Sequence, residues 1–303
     1  MNRHSLSRRE MLALLGASGA AGVAGLTALA RAARAETVPD SRLPVPGSRF
    51  PVPITKWGLQ LYTVRSLLGT DFDGTIKTLG QIGYKEVETA GYYNRSPADF
   101  RKALDAAGLT APSCHLQGNT ADALGVNLQK TLDDCATIGH KWMVLASPPR
   151  GMSGADGYKQ MADMLSKAAD GAKSAGVRVA YHNHDADFRA LGDSNGLEIL
   201  LSSSTNVFSE LDVYWIVKAG GDPFAFIAKH PGRVKMLHLK DASAAPEVAM
   251  RSVGAGTIDW PKLIPAAEKA GIEHAFVEHD NPGDAIASLR ASYEYLSHMK
   301  RAS

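Results

Sequence analysis

The sequence predicts an α/β fold, a (β/α)8 TIM barrel in a single domain. Three observations carry that reading. Eight short apolar runs alternate with segments of helical pattern, and nothing is left over. The 268 residues from Glu36 onward come close to the roughly 250 that such a barrel needs. Finally, acids and imidazoles close the later apolar runs, at the carboxyl-terminal strand edge where parallel sheets carry their chemistry.

The first strand is expected over 57–62 and its helix over 72–82. Next come a strand at 86–88 and a helix announced by Ser96-Pro97, an N-cap serine with proline at the first helical position, and ended by Gly108. The third strand is placed at 112–116, with a helix through Ile138. The fourth is at 142–145, followed by a long helix over 158–175 that Gly176 closes. The fifth, 177–181, runs into His182-Asn183-His184-Asp185, with a short helix at 197–201. The sixth, 207–212, ends in Asp212, and Asp222-Pro223 opens the helix that follows it. The seventh ends at His238, an irregular stretch reaches Gly254-Ala255-Gly256, and Asp259 caps the next helix. The eighth strand spans 274–278 and a helix over 284–299 closes the ring. Long loops after strands four, five and seven suggest a lidded pocket.

Ahead of the barrel stand two segments of different character. Ser7-Arg8-Arg9-Glu10-Met11-Leu12 leads into a Gly/Ala-rich apolar run and then Ala33-Arg34-Ala35, so residues 1–35 resemble a twin-arginine export signal with a small-x-small cleavage pattern. The expected location is periplasmic, reached in the folded state, with no stable membrane span once the signal is removed. Residues 36–54 hold five prolines, which sustain neither helix nor central strand, and are expected as an extended tail; the barrel is assigned to 55–303. Residues 1–35 contain five of the 33 basic and one of the 31 acidic residues, so the rest of the chain carries about −2 and offers nucleic acid no electrostatic footprint. Cys114 and Cys135, near a strand end and a helix end, are expected buried, free and towards opposite ends of their βα unit.

On the carboxyl edge the pattern collects Glu88, His115, His182, His184, Asp212, His238, Lys240 and Glu278. Glu210, Lys235 and Lys85 are read as solvent or sheet-helix residues. Four ligand-type residues closing four consecutive strands, His182, Asp212, His238 and Glu278, converge on the barrel axis as two imidazoles and two carboxylates. That set suits one divalent Mn, Zn, Co or Fe ion better than Mg or Ca, which favour oxygen alone. Such an ion polarises a carbonyl and lowers the pKa of the neighbouring C–H, the basis of sugar isomerisation, epimerisation and β-elimination. Candidate bases are Glu278, His184 and Lys240. Glu88, His115, Tyr62 and Trp215 are candidate substrate contacts, with Trp260 and Tyr92 as further stacking faces.

The strings Ala180-Tyr181-His182-Asn183-His184-Asp185, Glu210-Leu211-Asp212-Val213-Tyr214-Trp215, His238-Leu239-Lys240-Asp241, Gly254-Ala255-Gly256-Thr257-Ile258-Asp259 and Phe276-Val277-Glu278 resemble the xylose-isomerase-like barrels called sugar phosphate isomerase/epimerase. That resemblance implies a metal held at the ends of strands five to eight by Glu, Asp, His and Glu. Asp212, His238 and Glu278 fit it, while His182 stands where Glu is usual. The family's epimerases use two glutamates as opposed bases, so the departure implies an enzyme with one base. The expected function is a divalent-metal-dependent carbohydrate isomerase or epimerase that abstracts a proton beside a carbonyl the metal polarises. A periplasmic 3-keto-glycoside lyase or hydratase is the alternative, and a non-catalytic sugar-binding protein the alternative of another class. An apurinic endonuclease, suggested by a distant likeness of the barrel, is opposed by the charge. The expected partner is a small carbohydrate and no nucleic acid, with the oligomeric state left open.

Overall fold

A computed structural model describes residues 53–302. Within them eight strands close a parallel barrel in which each pairs with its neighbour in the chain and the eighth with the first. They are β1 (Gly58–Gln60), β2 (Glu86–Thr89), β3 (Thr110–His115), β4 (Trp142–Leu145), β5 (Arg178–His182), β6 (Val207–Asp212), β7 (Val234–Leu239) and β8 (His274–Val277). The expected fold is present, with strand ends displaced by one or two residues.

The helices obey the local signals. Asp71 accepts the Gly74 amide to start Phe72–Ile82. Ser96 Oγ accepts the Asp99 amide ahead of Pro97–Ala107, and Gly108 ends that helix at φ +67°, a conformation that favours glycine. The long helix is Gly154–Ala172, one turn earlier than its apolar pattern suggests, and it tightens into a 3-10 turn at Lys173–Ala175. Val213–Lys218, directly after β6 and capped by Asp212, escapes the sequence reading because six residues are too few for a period to emerge.

The strand pleat sorts the barrel interior into layers. Trp142, Val144, Ala180, Met236 and Phe276 form an apolar cluster of their own, with Phe208 packed on it. Gly58 belongs to that arrangement: a Cβ there would lie 2.5 Å from Phe276 Cδ1, so only glycine leaves room for the ring. Two residues further along the same strands the lining turns polar, from Met236 to His238, Phe208 to Glu210, Ala180 to His182 and Phe276 to Glu278. The apolar cluster is thus the floor of a buried polar site.

Residues 1–35 and most of the proline-rich tail lie outside the described residues, and the export signal with them. At the tail's end Ile54 is buried, its amide donating to Glu268 Oε1 and its carbonyl accepting from Arg301. Both cysteines are free and buried. They are nevertheless close: a hydrogen bond with Cys135 and then burial push the Cys114 thiol's pKa up, because the helix bearing Cys135 folds back over β3. No helix among the described residues is long and apolar enough to cross a membrane.

Candidate metal centre and active site

Strands β5 to β8 deliver His182, Asp212, His238 and Glu278 to one place. One nitrogen or oxygen from each lies within 4.8 Å of those of the others, and all four side chains are buried. Asp212 and His238 are direct neighbours across the β6–β7 ladder. His182 Nε2 is 3.2 Å from Asp212 Oδ2, and His238 Nδ1 is 2.7 Å from Glu278 Oε2.

The charges of this set are unequal. Burial, followed by the neighbouring His238 and His115, holds the His182 pKa well below its ordinary value, so its ring is neutral; its Nδ1 is buried and has no partner. A neutral imidazole with a free lone pair is the form that ligates a metal. Burial also opposes a charge on His238, but Glu210 and Glu278 outweigh it and raise that pKa. For Glu278 burial works upward, and Lys240 and His238 overcome it to hold the carboxyl well below the usual range. The donor set fits a divalent ion, with two carboxylates, one neutral ring and one ring whose proton an ion can replace.

Lys240 is drawn into the same cage. Its ammonium stands 2.9 Å from Asp212, 2.8 Å from Glu278 and 2.7 Å from Asp280. Burial alone would lower its pKa, but Asp212, Glu278 and Asp280 raise it above that of a free lysine. It is a fixed cation.

Deeper in the barrel lies a second cluster, Glu88, His115, Glu210 and His238, whose ligand-type atoms also fall within 4.8 Å of one another. Glu210, read from sequence as a solvent or sheet-helix residue, is fully buried here, because it sits two residues before Asp212 and strand alternation turns both inward. That spacing was the signal available for finding it. Glu88 is likewise enclosed, accepting from Gln60 Nε2 at 2.6 Å and Ser113 Oγ at 2.5 Å. His115 bridges to Glu210 Oε2 at 2.7 Å; burial opposes its charge, but Glu88 and Glu210 raise its pKa to about 9.

At the mouth, His184 is partly buried, with its ring centroid 4.9 Å from that of His182 and 5.4 Å from that of Trp215. Burial lowers its pKa, leaving a neutral ring. Trp215 flanks the Lys240 ammonium at 5.7 Å. Tyr62 is exposed and lies over the Arg65 guanidinium, on the β1 side of the mouth. Trp260 and Tyr92 are packing residues: Trp260 is buried and donates to Asp241, and Tyr92 stands edge-on to Phe100. Asp241 also accepts from the amides of Gly254 and Ile258, which accounts structurally for the Gly254-Ala255-Gly256 string.

This cluster of imidazoles and carboxylates, which could hold a divalent ion, stands at the carboxyl edge where (β/α)8 barrels carry their active sites. Residues 76–299 match the xylose isomerase-like TIM barrel, and the chain belongs to that family. It is 22% identical over 191 residues to an inosose dehydratase from Clostridium beijerinckii, an alignment covering 57% of this chain and 64% of that protein. The chain thus matches less than two thirds of that relative's length. A sugar phosphate isomerase/epimerase structure from Parabacteroides distasonis superposes with a TM-score of 0.69 at 26% identity, covering 83% of this chain and 98% of that one. The IOLI protein with a bound zinc atom shares the fold, with a TM-score of 0.62 at 15% identity over 80% of this chain and 97% of that one.

Proposed function

We propose that the protein is a divalent-metal-dependent lyase that eliminates water or an alcohol from a sugar-like ketone. The observation that carries this reading is the convergence of His182, Asp212, His238 and Glu278 beside a neutral, unligated imidazole, His184. Those four residues would hold the ion, with Mn, Zn, Co and Fe preferred by their mixed nitrogen and oxygen donors. When bound, the ion polarises the substrate carbonyl and acidifies the adjacent C–H.

His184 removes that proton. Lys240, kept charged by its three carboxylates, stabilises the negative charge that develops on the carbonyl side. As the C–O bond at the next carbon breaks, the proton on His184 passes to the departing oxygen, and water or an alcohol leaves. One imidazole serves as base and then as acid. Glu278 and Lys240, both candidate bases in the sequence, are assigned other work: the pairing that keeps Glu278 ionised also makes it weakly basic, and Lys240 holds no free electron pair while protonated. Trp215 offers a ring to stack on the sugar, with Tyr62 further out.

The sequence alone favoured isomerisation. Elimination takes precedence because a dehydratase stands among the chain's relatives, and one imidazole can serve elimination first as base and then as acid. An aldose–ketose isomerase is the second reading, favoured by the likeness to the Parabacteroides structure; there His184 would carry the proton between adjacent carbons. An exported enzyme would meet free or oxidised sugars rather than phosphorylated ones.

The test is proton NMR of metal-reconstituted protein incubated with a cyclic keto-polyol, a 3-keto-glycoside and a free ketose. Release of water or aglycone, abolished by chelator and restored by a divalent ion, is expected. A rearranged sugar with nothing released selects the isomerase, and sugar binding without turnover of any substrate sinks both.

A further inference from the structure

Beneath the four proposed ligands lies a closed polar layer whose geometry makes one demand on the site above. His238 belongs to both. Its Nδ1 faces Glu278 at 2.7 Å and Asp212 at 3.8 Å, while its Nε2 faces Glu88 Oε2 at 2.7 Å and Glu210 Oε2 at 3.2 Å. Both ring nitrogens thus face carboxylate oxygens, which accept hydrogen bonds; an ion on the Asp212–Glu278 side would take the place of the Nδ1 hydrogen, and Nε2 would keep its own.

We propose that Glu88, with Glu210 behind it, is a positioning residue: it holds His238 as the Nε2–H tautomer and aims Nδ1 at the metal. This rests on the metal reading above.

The layer itself is built to stay closed. Glu88 receives Gln60 and Ser113 as well as His238, which occupies both its oxygens. Glu210 is anchored by His115, and the His115 ring stacks on His238 with centroids 5.2 Å apart and planes 14° apart. His238 is thereby fixed in rotation as well as in tautomer. A second ion here would have to displace those four hydrogen bonds; Glu210 Oε1 is buried beside them without a partner. A carboxylate that receives the far N–H of a metal-bound histidine raises its basicity and fixes its orientation, and loss of such a partner typically costs roughly 10- to 100-fold in metal affinity.

The measurement that needs no variant is NMR of wild-type protein labelled with 15N-histidine and loaded with 113Cd. Coupling of cadmium to His238 Nδ1 is expected. Coupling to Nε2 overturns the proposal, and failure to take up cadmium at all overturns it together with the metal reading. The paired variants are Glu88→Gln and Glu86→Gln. Glu86 sits on the same strand and pairs with His274 Nδ1 at 2.8 Å, on the far side of the apolar floor from the proposed ligands. Both remove one carboxylate–imidazole contact inside the barrel. Zinc competition with a chelating dye should show weakening of roughly 10- to 100-fold for Glu88→Gln and none for Glu86→Gln. Equal zinc affinity in the two variants, whatever their stability, would make Glu88 merely structural.

Discussion

The Lys240 ammonium lies 2.9 Å from the Asp212 carboxylate, with both side chains sealed inside the barrel. A divalent ion bound by Asp212 and Glu278 must therefore share both carboxylates with a resident cation. Two unit positive charges about 4 Å apart at an effective dielectric near 20 repel by about 4 kcal/mol, and a divalent ion doubles that to about 8 kcal/mol before relaxation. Lys240→Met should accordingly bind zinc at least roughly tenfold more tightly. The same variant should turn over more slowly, because the fixed charge beside the carbonyl is gone. Weaker zinc binding in a dye-competition titration would mean that Lys240 shapes the carboxylate pair rather than competing for it.

His184 separates the base from the ligands. Its replacement by Gln should leave zinc affinity unchanged while lowering substrate C–H exchange with deuterated water by roughly 10²- to 10⁴-fold, the usual cost of losing a general base. Exchange that persists in His184→Gln and vanishes in a metal-competent Glu278 variant would restore Glu278 as the base.

Much of this was legible in the chain because a barrel strand declares its inward face by alternation, and His182, Asp212, His238 and Glu278 all stand at strand ends. Glu210 was legible too, being two residues from Asp212, but a carboxylate inside a barrel conflicts with the ordinary cost of burying charge. What tolerates it is a pair of imidazoles from β3 and β7, 95 and 28 positions away, and no local pattern announces such a partnership. Asp280 was missed for a related reason. It lies past the eighth strand, and only Lys240 gives it a role in the site.

Stability below neutral pH should depend on His140, which is remote from the ligands. Its Nδ1 donates to the Ala111 carbonyl at 2.8 Å, and burial, only partly offset by that bond, lowers its pKa to about 4. An unfolded histidine takes up its proton near 6.5, so between those values the unfolded state binds more protons and stability falls as the pH falls. The contribution lost by pH 4 is on the order of 3 kcal/mol. Urea unfolding of wild type and His140→Gln at pH 7 and pH 4.5 should show the smaller loss in the variant, since Gln keeps a donor for Ala111 without a titrating ring. Equal losses would mean that the site at the barrel mouth, rather than His140, governs the acid limb.

His182 determines how many bases the site can field. As a neutral ring 3.2 Å from Asp212 it can ligate but cannot take a second proton without losing its place on the ion. A glutamate at the same strand end supplies an anionic ligand with a second oxygen, which is free to act on the substrate face opposite His184. His182→Glu should therefore retain divalent metal, because carboxylates suit the same ions, and should gain a weak epimerase activity that the wild type lacks. Deuterium incorporation with NMR assignment at each carbon reads this directly. The wild type is expected to exchange one proton from one face, with no inverted stereocentre, and the variant to give both configurations. Inversion by the wild-type protein would reveal a second base already in place. The one-base assignment of His184 would then fall.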